Sequence, residues 1–122
     1  MNEPKPNIVR DKSFAFAVRI VNLYKHLKND KSEYVLSKQL LRSGTSVGAN
    51  IREGVNAQSK KDFIHKLSIA QKECDESIYW LELLKETDYI TKEEYNSLAN
   101  DATELLKIIR SIIITTKKNY KL

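Results

Sequence analysis

Arg19 and His26 lie seven positions apart, about two helical turns, which places them on one helix face. An arginine to hold a phosphate and a histidine to move a proton are what a metal-free helical ribonuclease needs. No polar residue directly follows Arg19 to complete such a motif, so the pair reads as the exposed basic face of a helix rather than as a nuclease site. Glu53, Glu73 and Glu76 have the chemistry for paired acid–base work, and Glu73 and Glu76 share a helix face. With no nucleophile or second base nearby, they are expected to pair with Lys or Arg across helices. A di-metal site in a helical bundle needs Glu-x-x-His from two helices plus two further Glu. Asp62-x-x-His65 is the nearest match and occurs once, so no metal and no cofactor is expected, and His65 reads as a surface or interhelical residue.

Two further features have a chemical and a structural reading. Tyr79 beside Trp80 could stack a base, although their helical positions suit core or interface packing. Cys74 falls on an apolar stripe and reads as a small core residue. As the single cysteine it cannot form an internal disulfide, which fits a reducing compartment.

The stretch "RSGTSVGANIREG", Arg42 to Gly54, holds every glycine of the chain. A phosphate-cradling loop needs a Gly-Lys pair, and a dinucleotide fingerprint must follow a strand; neither is present. The helical reading fits better. Gly44 and Gly48 are four apart, as are Ser46 and Asn50, and small residues at that spacing let a neighbouring backbone approach. Gly54 suits a helix end in the left-handed conformation. Gly44, Gly48, Asn50 and Gly54 are therefore assigned to helix packing.

These residues need helices to position them. Both prolines, Pro4 and Pro6, precede residue 7, and glycine is scarce, which indicates an all-α chain. Four amphipathic segments are predicted at about residues 10–28, 33–55, 60–86 and 92–118. The first carries Phe14, Ala17, Val18, Val21 and Tyr24 at helical spacing, widened by Ile20, Leu23 and Leu27, and "KNDKSE" closes it as a polar turn. The second has Leu36, Leu40, Val47 and Ile51 on one side. Ser59 with Asp62 resembles a capping box at the start of the third, and Thr91 with Glu94 forms one at the start of the fourth. From Leu105 to Ile113 the apolar residues of the fourth segment cover an arc of about 160°, wider than the roughly 100° one core requires. That surplus predicts contact with a second copy. Short links between four helices in 122 residues give a single domain, residues 1–122, with an antiparallel up-down four-helix bundle as its architecture.

The formal charge of +5 is unevenly spread. From Lys107 to Leu122 there are five bases and no acid; from Glu73 to Glu94 there are eight acids and two bases. A basic surface of this kind favours RNA or an RNA–protein complex. The candidate contacts are Arg52, Lys61, Lys60, Arg42, Arg19, Arg110, Lys117 and Lys118, with Arg52 singled out because it lies in the glycine-bearing stretch. The N-terminus has no apolar signal region, and the longest apolar run, Phe14 to Val18, is far short of the roughly 20 residues of a membrane span. A cytoplasmic protein with no membrane partner and no small-molecule substrate is expected.

Ser46, Gly48, Ala49, Asn50, Ile51, Glu53 and Gly54 form an S-x-G-A-N-I-x-E-G core. Lys61, Asp62 and Phe63 follow as K-D-F, and Lys72, Glu73, Glu76, Tyr79, Trp80 and Leu81 as a K-E…E…Y-W-L element. From about Asn7 to Lys118 the chain closely resembles the bacterial four-helix-bundle proteins encoded in intervening sequences of 23S ribosomal RNA genes. The resemblance implies an up-down bundle and a homo-oligomer, a ring of five. It also implies a likeness to the accessory variability proteins of diversity-generating retroelements, which bind a reverse transcriptase and RNA through basic surfaces. A non-enzymatic RNA-binding module is the reading adopted; a protein-binding scaffold and a helical ribonuclease are the alternatives.

Overall fold

A computed structural model describes residues 7–122. Four helices follow one another: α1 (Ile8–Lys31), α2 (Leu36–Val55), α3 (Lys60–Glu86) and α4 (Lys92–Tyr120). Local chemistry starts each of them. The Asn7 side chain accepts from the Arg10 amide at 2.9 Å and Ser59 accepts from the Asp62 amide at 3.1 Å. Thr91 and Glu94 form the full reciprocal capping box, at 3.1 and 2.8 Å. No such reciprocal bond joins Ser59 and Asp62, so only half of that box is present.

The α1–α2 link departs from expectation. α1 runs on through Lys31 and stops at Ser32, whose φ of 53° is left-handed, so most of "KNDKSE" is helical. α2 begins at Leu36 because Glu33 is spent as a cap. Its carboxylate accepts from the amides of Val35, Leu36 and Ser37 at 3.1, 3.0 and 2.6 Å, satisfying donors that the first turn of α2 would leave orphaned. Burial pushes the Glu33 pKa up, but the three backbone hydrogen bonds outweigh it and hold the carboxyl below its ordinary value.

Cross-helix contacts give the topology. Ile20 meets Gly44, and Ser13 meets Gly48. Ser43 bonds Ser77 at 2.9 Å, and Glu53 pairs with Lys66 at 2.9 Å. Cys74 meets Ala102, and Lys85 meets Tyr95. Lys12 pairs with Glu104, and Arg19 with Asp101. In every pair of helices one number rises as the other falls, so each neighbour is antiparallel. α2 packs most extensively on α3, and the α1–α4 side, which closes the bundle, is the thinnest. The core holds Phe16, Ile20, Leu40, Ile51, Leu67, Leu81, Leu105 and Ile109 at 0–1% exposure. Each such side chain is worth about 1.5–3 kcal/mol when fully buried.

Outward apolar surface is left on α1 as well as on α4. In α4, Leu105, Leu106, Ile109 and Ile113 are buried within the single chain, Ile108 and Ile112 are half-buried, and Ile114 is left at 67% exposure. In α1 the core face is Val9, Ser13, Phe16, Ile20, Leu23 and Leu27. The stripe begun by Phe14 points outward: Phe14 is 58% and Val18 45% exposed. Both faces of α1 carry a helical period, so periodicity alone could not say which one turns inward.

The glycines permit two close crossings. A Cβ on Gly44 would lie 2.8 and 2.9 Å from the two γ carbons of Ile20, so α1 crosses there at a distance only glycine allows. A Cβ on Gly54 would lie 2.9 Å from Leu67 and 3.2 Å from the Lys66 Cβ, against α3. Gly54 is thus a helical packing residue; no glycine among the described residues has a positive φ, and the left-handed helix end is not formed there. Gly48 is less constrained, its nearest neighbour being the Ser13 carbonyl at 3.4 Å. Asn50 and Ser46 make no bridge to another helix. Asn50 donates to the Ser46 carbonyl and Ser46 to the Arg42 carbonyl, both inside α2.

Candidate nucleic-acid interface

The eight candidate cations divide into two groups. Arg19 reaches across to α4, donating to Asp101 at 2.6 Å and to the Ser97 hydroxyl at 2.8 Å. Arg42 forks between Glu73, at 2.9 Å, and Glu76 on α3. Glu76 also accepts from the Trp80 indole at 2.9 Å, which ties Trp80 into this network, with Tyr79 packed edge-on against it. Both arginines therefore have their charge neutralised by carboxylates and serve to join helices. That Glu53, Glu73 and Glu76 pair with bases across helices is as the sequence led one to expect; that Arg42 and Lys66 are the bases follows only once antiparallel packing sets α3 beside α2.

Arg52, Lys60, Lys61, Arg110, Lys117 and Lys118 make no ion pair among the described residues. The Arg52 guanidinium stands 5.7 Å from the centre of the exposed Phe14 ring. The Lys60 ammonium stands 5.8 Å from Phe63 and 5.0 Å from Tyr120. Arg110 lies along the α3–α4 flank, where its charge acts on Cys74.

Topology concentrates the rest. Antiparallel packing brings the start of α1, the end of α2, the start of α3 and the end of α4 to one end of the bundle. The terminal turns there hold Arg10, Arg52, Lys60, Lys61, Lys117, Lys118 and Lys121 against Asp11, Glu53 and Asp62. The terminal turns and links of the opposite end hold five bases and six acids. The positive charge is thus gathered at one pole. A periodicity reading could not find this pole, because its members come from four separated segments.

The ribonuclease pair does share a cleft. Arg19 and His26 line it between α1 and α4, with Asn22, Leu23, Glu94 and Leu98. The His26 Nδ1 lies 2.8 Å from Asp30. With Arg19 held by Asp101, and with Asp30 and Glu94 close by, the cleft presents carboxylates where a phosphate would have to approach. Among the described residues no group of three or more His, Cys, Asp or Glu is placed to hold a metal ion. Cys74 is fully buried, its Sγ 3.2 Å from the Ala102 carbonyl. Burial first, and the Asp75 carboxylate second, push its thiol up to about 12 against the opposing charge of Arg110, so it stays protonated and inert. His65 is exposed. No helix among the described residues is long and apolar enough to cross a membrane.

Comparison with known proteins covers most of the chain. No curated protein matches it. A crystal structure of a protein of unknown function from the S23 ribosomal protein family, from Bacteroides thetaiotaomicron VPI-5482, superposes with a TM-score of 0.87. The two sequences are 64% identical, over 88% of this chain and 96% of the other. The family model described as 23S rRNA-intervening sequence protein matches residues 5–111. The bundle, its glycine-mediated crossings and its basic pole are therefore features of a chain that belongs to the 23S rRNA-intervening sequence protein family.

Proposed function

We propose that the protein is a non-enzymatic, cytoplasmic RNA-binding module that acts as a homo-oligomer. The observation that carries this reading is the gathering, at one end of the bundle, of lysines and arginines that make no ion pair among the described residues. Cations free of carboxylates are available to phosphates, and each phosphate neutralised releases counterions from the nucleic acid. Lys61, Lys117 and Lys118 are the principal contacts, joined by Lys60 and Arg52, which stand beside aromatic rings, and by Arg110 on the flank. Arg19 and Arg42 stabilise the bundle instead. RNA alone and RNA within an RNA–protein complex display the same phosphates, and the pole suits both. The outward apolar stripe of α1 supports the oligomer, because exposed apolar surface of this kind marks protein contacts. The family resemblance is the ground for proposing a ring of five.

The test is RNA binding by fluorescence anisotropy across a salt series. Affinity should fall linearly on logarithmic axes, and Lys61→Glu with Lys118→Glu should lower the slope by about one to two phosphate contacts. If the wild type binds no RNA at low salt, the basic-pole reading is wrong and the protein-binding scaffold takes its place.

A further inference from the structure

At the basic pole a cavity of about 410 Å³ opens between the start of α1, the end of α2 and the start of α3. Val55 and Phe63 supply apolar walls, and Asn7, Gln58 and Ser59 supply amide and hydroxyl groups. Lys60 also lines it and links it to α4, since its ammonium lies within 6 Å of both the Phe63 and the Tyr120 ring centres. Tyr120 is 53% exposed although it is a large aromatic residue. We infer that this cavity and the Tyr120 ring take unpaired bases of single-stranded RNA, an inference that rests on the RNA-binding reading above.

The chemistry selects an unpaired base from three directions. The volume falls in the range of pockets for small planar ligands, about 300–1,000 Å³. A largely polar lining of amide, hydroxyl and ammonium groups beside the Val55 and Phe63 walls suits a flat heterocycle with a polar edge, and exposed aromatic rings stack bases whatever their sequence. The charge around the site suits the strand that carries the base. Lys61 adjoins Lys60, and Lys117 lies one turn before Tyr120, so phosphates on either side of a stacked base meet cations. A duplex offers none of this, because its base faces are stacked inside and its A-form major groove is too deep and narrow for side chains. The basic pole then discriminates between paired and unpaired RNA, which lysines alone do not.

Three probes of equal length test this at one salt concentration: a mixed-sequence single-stranded RNA, its duplex, and an abasic ribose-phosphate strand. The single strand should bind at least about fivefold more tightly than the abasic strand, which has the same phosphates and no bases. Tyr120→Ala should weaken the single strand by about 5- to 150-fold, the range set by loss of one stacked base. It should leave the abasic strand unchanged, and Tyr120→Trp should restore binding. Tyr120 lies in the last turn of α4 and is half open to solvent, so these variants spare the core. Equal affinity for the base-bearing and abasic strands, or for single strand and duplex, overturns the inference while the RNA-binding reading stands. Binding of none of the probes, even at low salt, overturns both.

Discussion

Gly44→Ala sets two opposing effects against each other at one atom. Alanine in a helix interior is favoured over glycine by about 1 kcal/mol. The added Cβ, however, would lie 2.8 and 2.9 Å from the Ile20 γ carbons and 3.2 Å from the Ile20 Cβ. Ile20 is fully buried and its γ carbons branch directly from Cβ, so no rotamer removes both contacts. The helices must move apart instead, and overpacking of this kind costs about 1–3 kcal/mol. The net expectation is a loss of up to about 2 kcal/mol, or roughly 4 °C in Tm for each kcal/mol in a domain of this size. Gly48→Ala is the internal control. Its Cβ would meet the Ser13 carbonyl at an ordinary 3.4 Å, so propensity wins and stability should rise by up to about 1 kcal/mol. Urea unfolding followed by circular dichroism reads both variants. In an Ile20→Ala background the γ carbons are gone, and there Gly44→Ala should become stabilising, a reversal that a double-mutant cycle measures directly. If Gly44→Ala stabilises the unaltered chain, the close crossing is not what keeps glycine at this position.

Glu33→Gln should destabilise the bundle by about 1–2 kcal/mol at neutral pH, since a neutral amide caps α2 less well than a carboxylate. Because the folded pKa of Glu33 is depressed, this stability is present above its ordinary value of 4.5 and is lost as the pH falls below that; thermal melts of wild type and variant should therefore converge in acid, and a gap that persists there would refute the assignment. Phe14→Glu should leave the fold intact, because Phe14 is 58% exposed, yet disperse the oligomer. Light scattering checks this: a wild type at the 14.1 kDa of one chain, or a variant that assembles unchanged, would remove α1 from the interface.

The four helices were legible because capping chemistry is local. Thr91 with Glu94 announces α4 three residues into the segment, and Ser59 marks the start of α3. The start of α2 was not, because the residue that caps it, Glu33, reads as one more polar residue in a turn until its carboxylate is seen to collect three amides. Which face of a helix turns inward is not a local property. α1 has apolar residues on two sides, and the buried one carries Ile20, which meets Gly44 on another helix, a contact that α1's own sequence does not display. The candidate site divides in the same way. Lys60, Lys61, Lys117 and Lys118 stand near chain positions that topology brings to one pole, whereas the fates of Arg19 and Arg42 depend on Asp101, Glu73 and Glu76, which are distant in sequence. The cavity beside Phe63 involves three helices and leaves no pattern in any one of them.

The thin α1–α4 seam has a consequence for how the chain reaches this structure. α1 with α2, α2 with α3, and α3 with α4 are each neighbours along the chain, so most of the core forms by closing short loops. Such low contact order favours fast folding. Only the seam joins the two ends of the sequence, and its recorded ties, Lys12 to Glu104 and Arg19 to Asp101, lie at the surface. Ion pairs so exposed contribute little, at most about 1 kcal/mol each. The seam is therefore the last part of the bundle to dock and the first to part, and amide exchange in the native state should open along the α1–α4 edge before it reaches the α2–α3 pair.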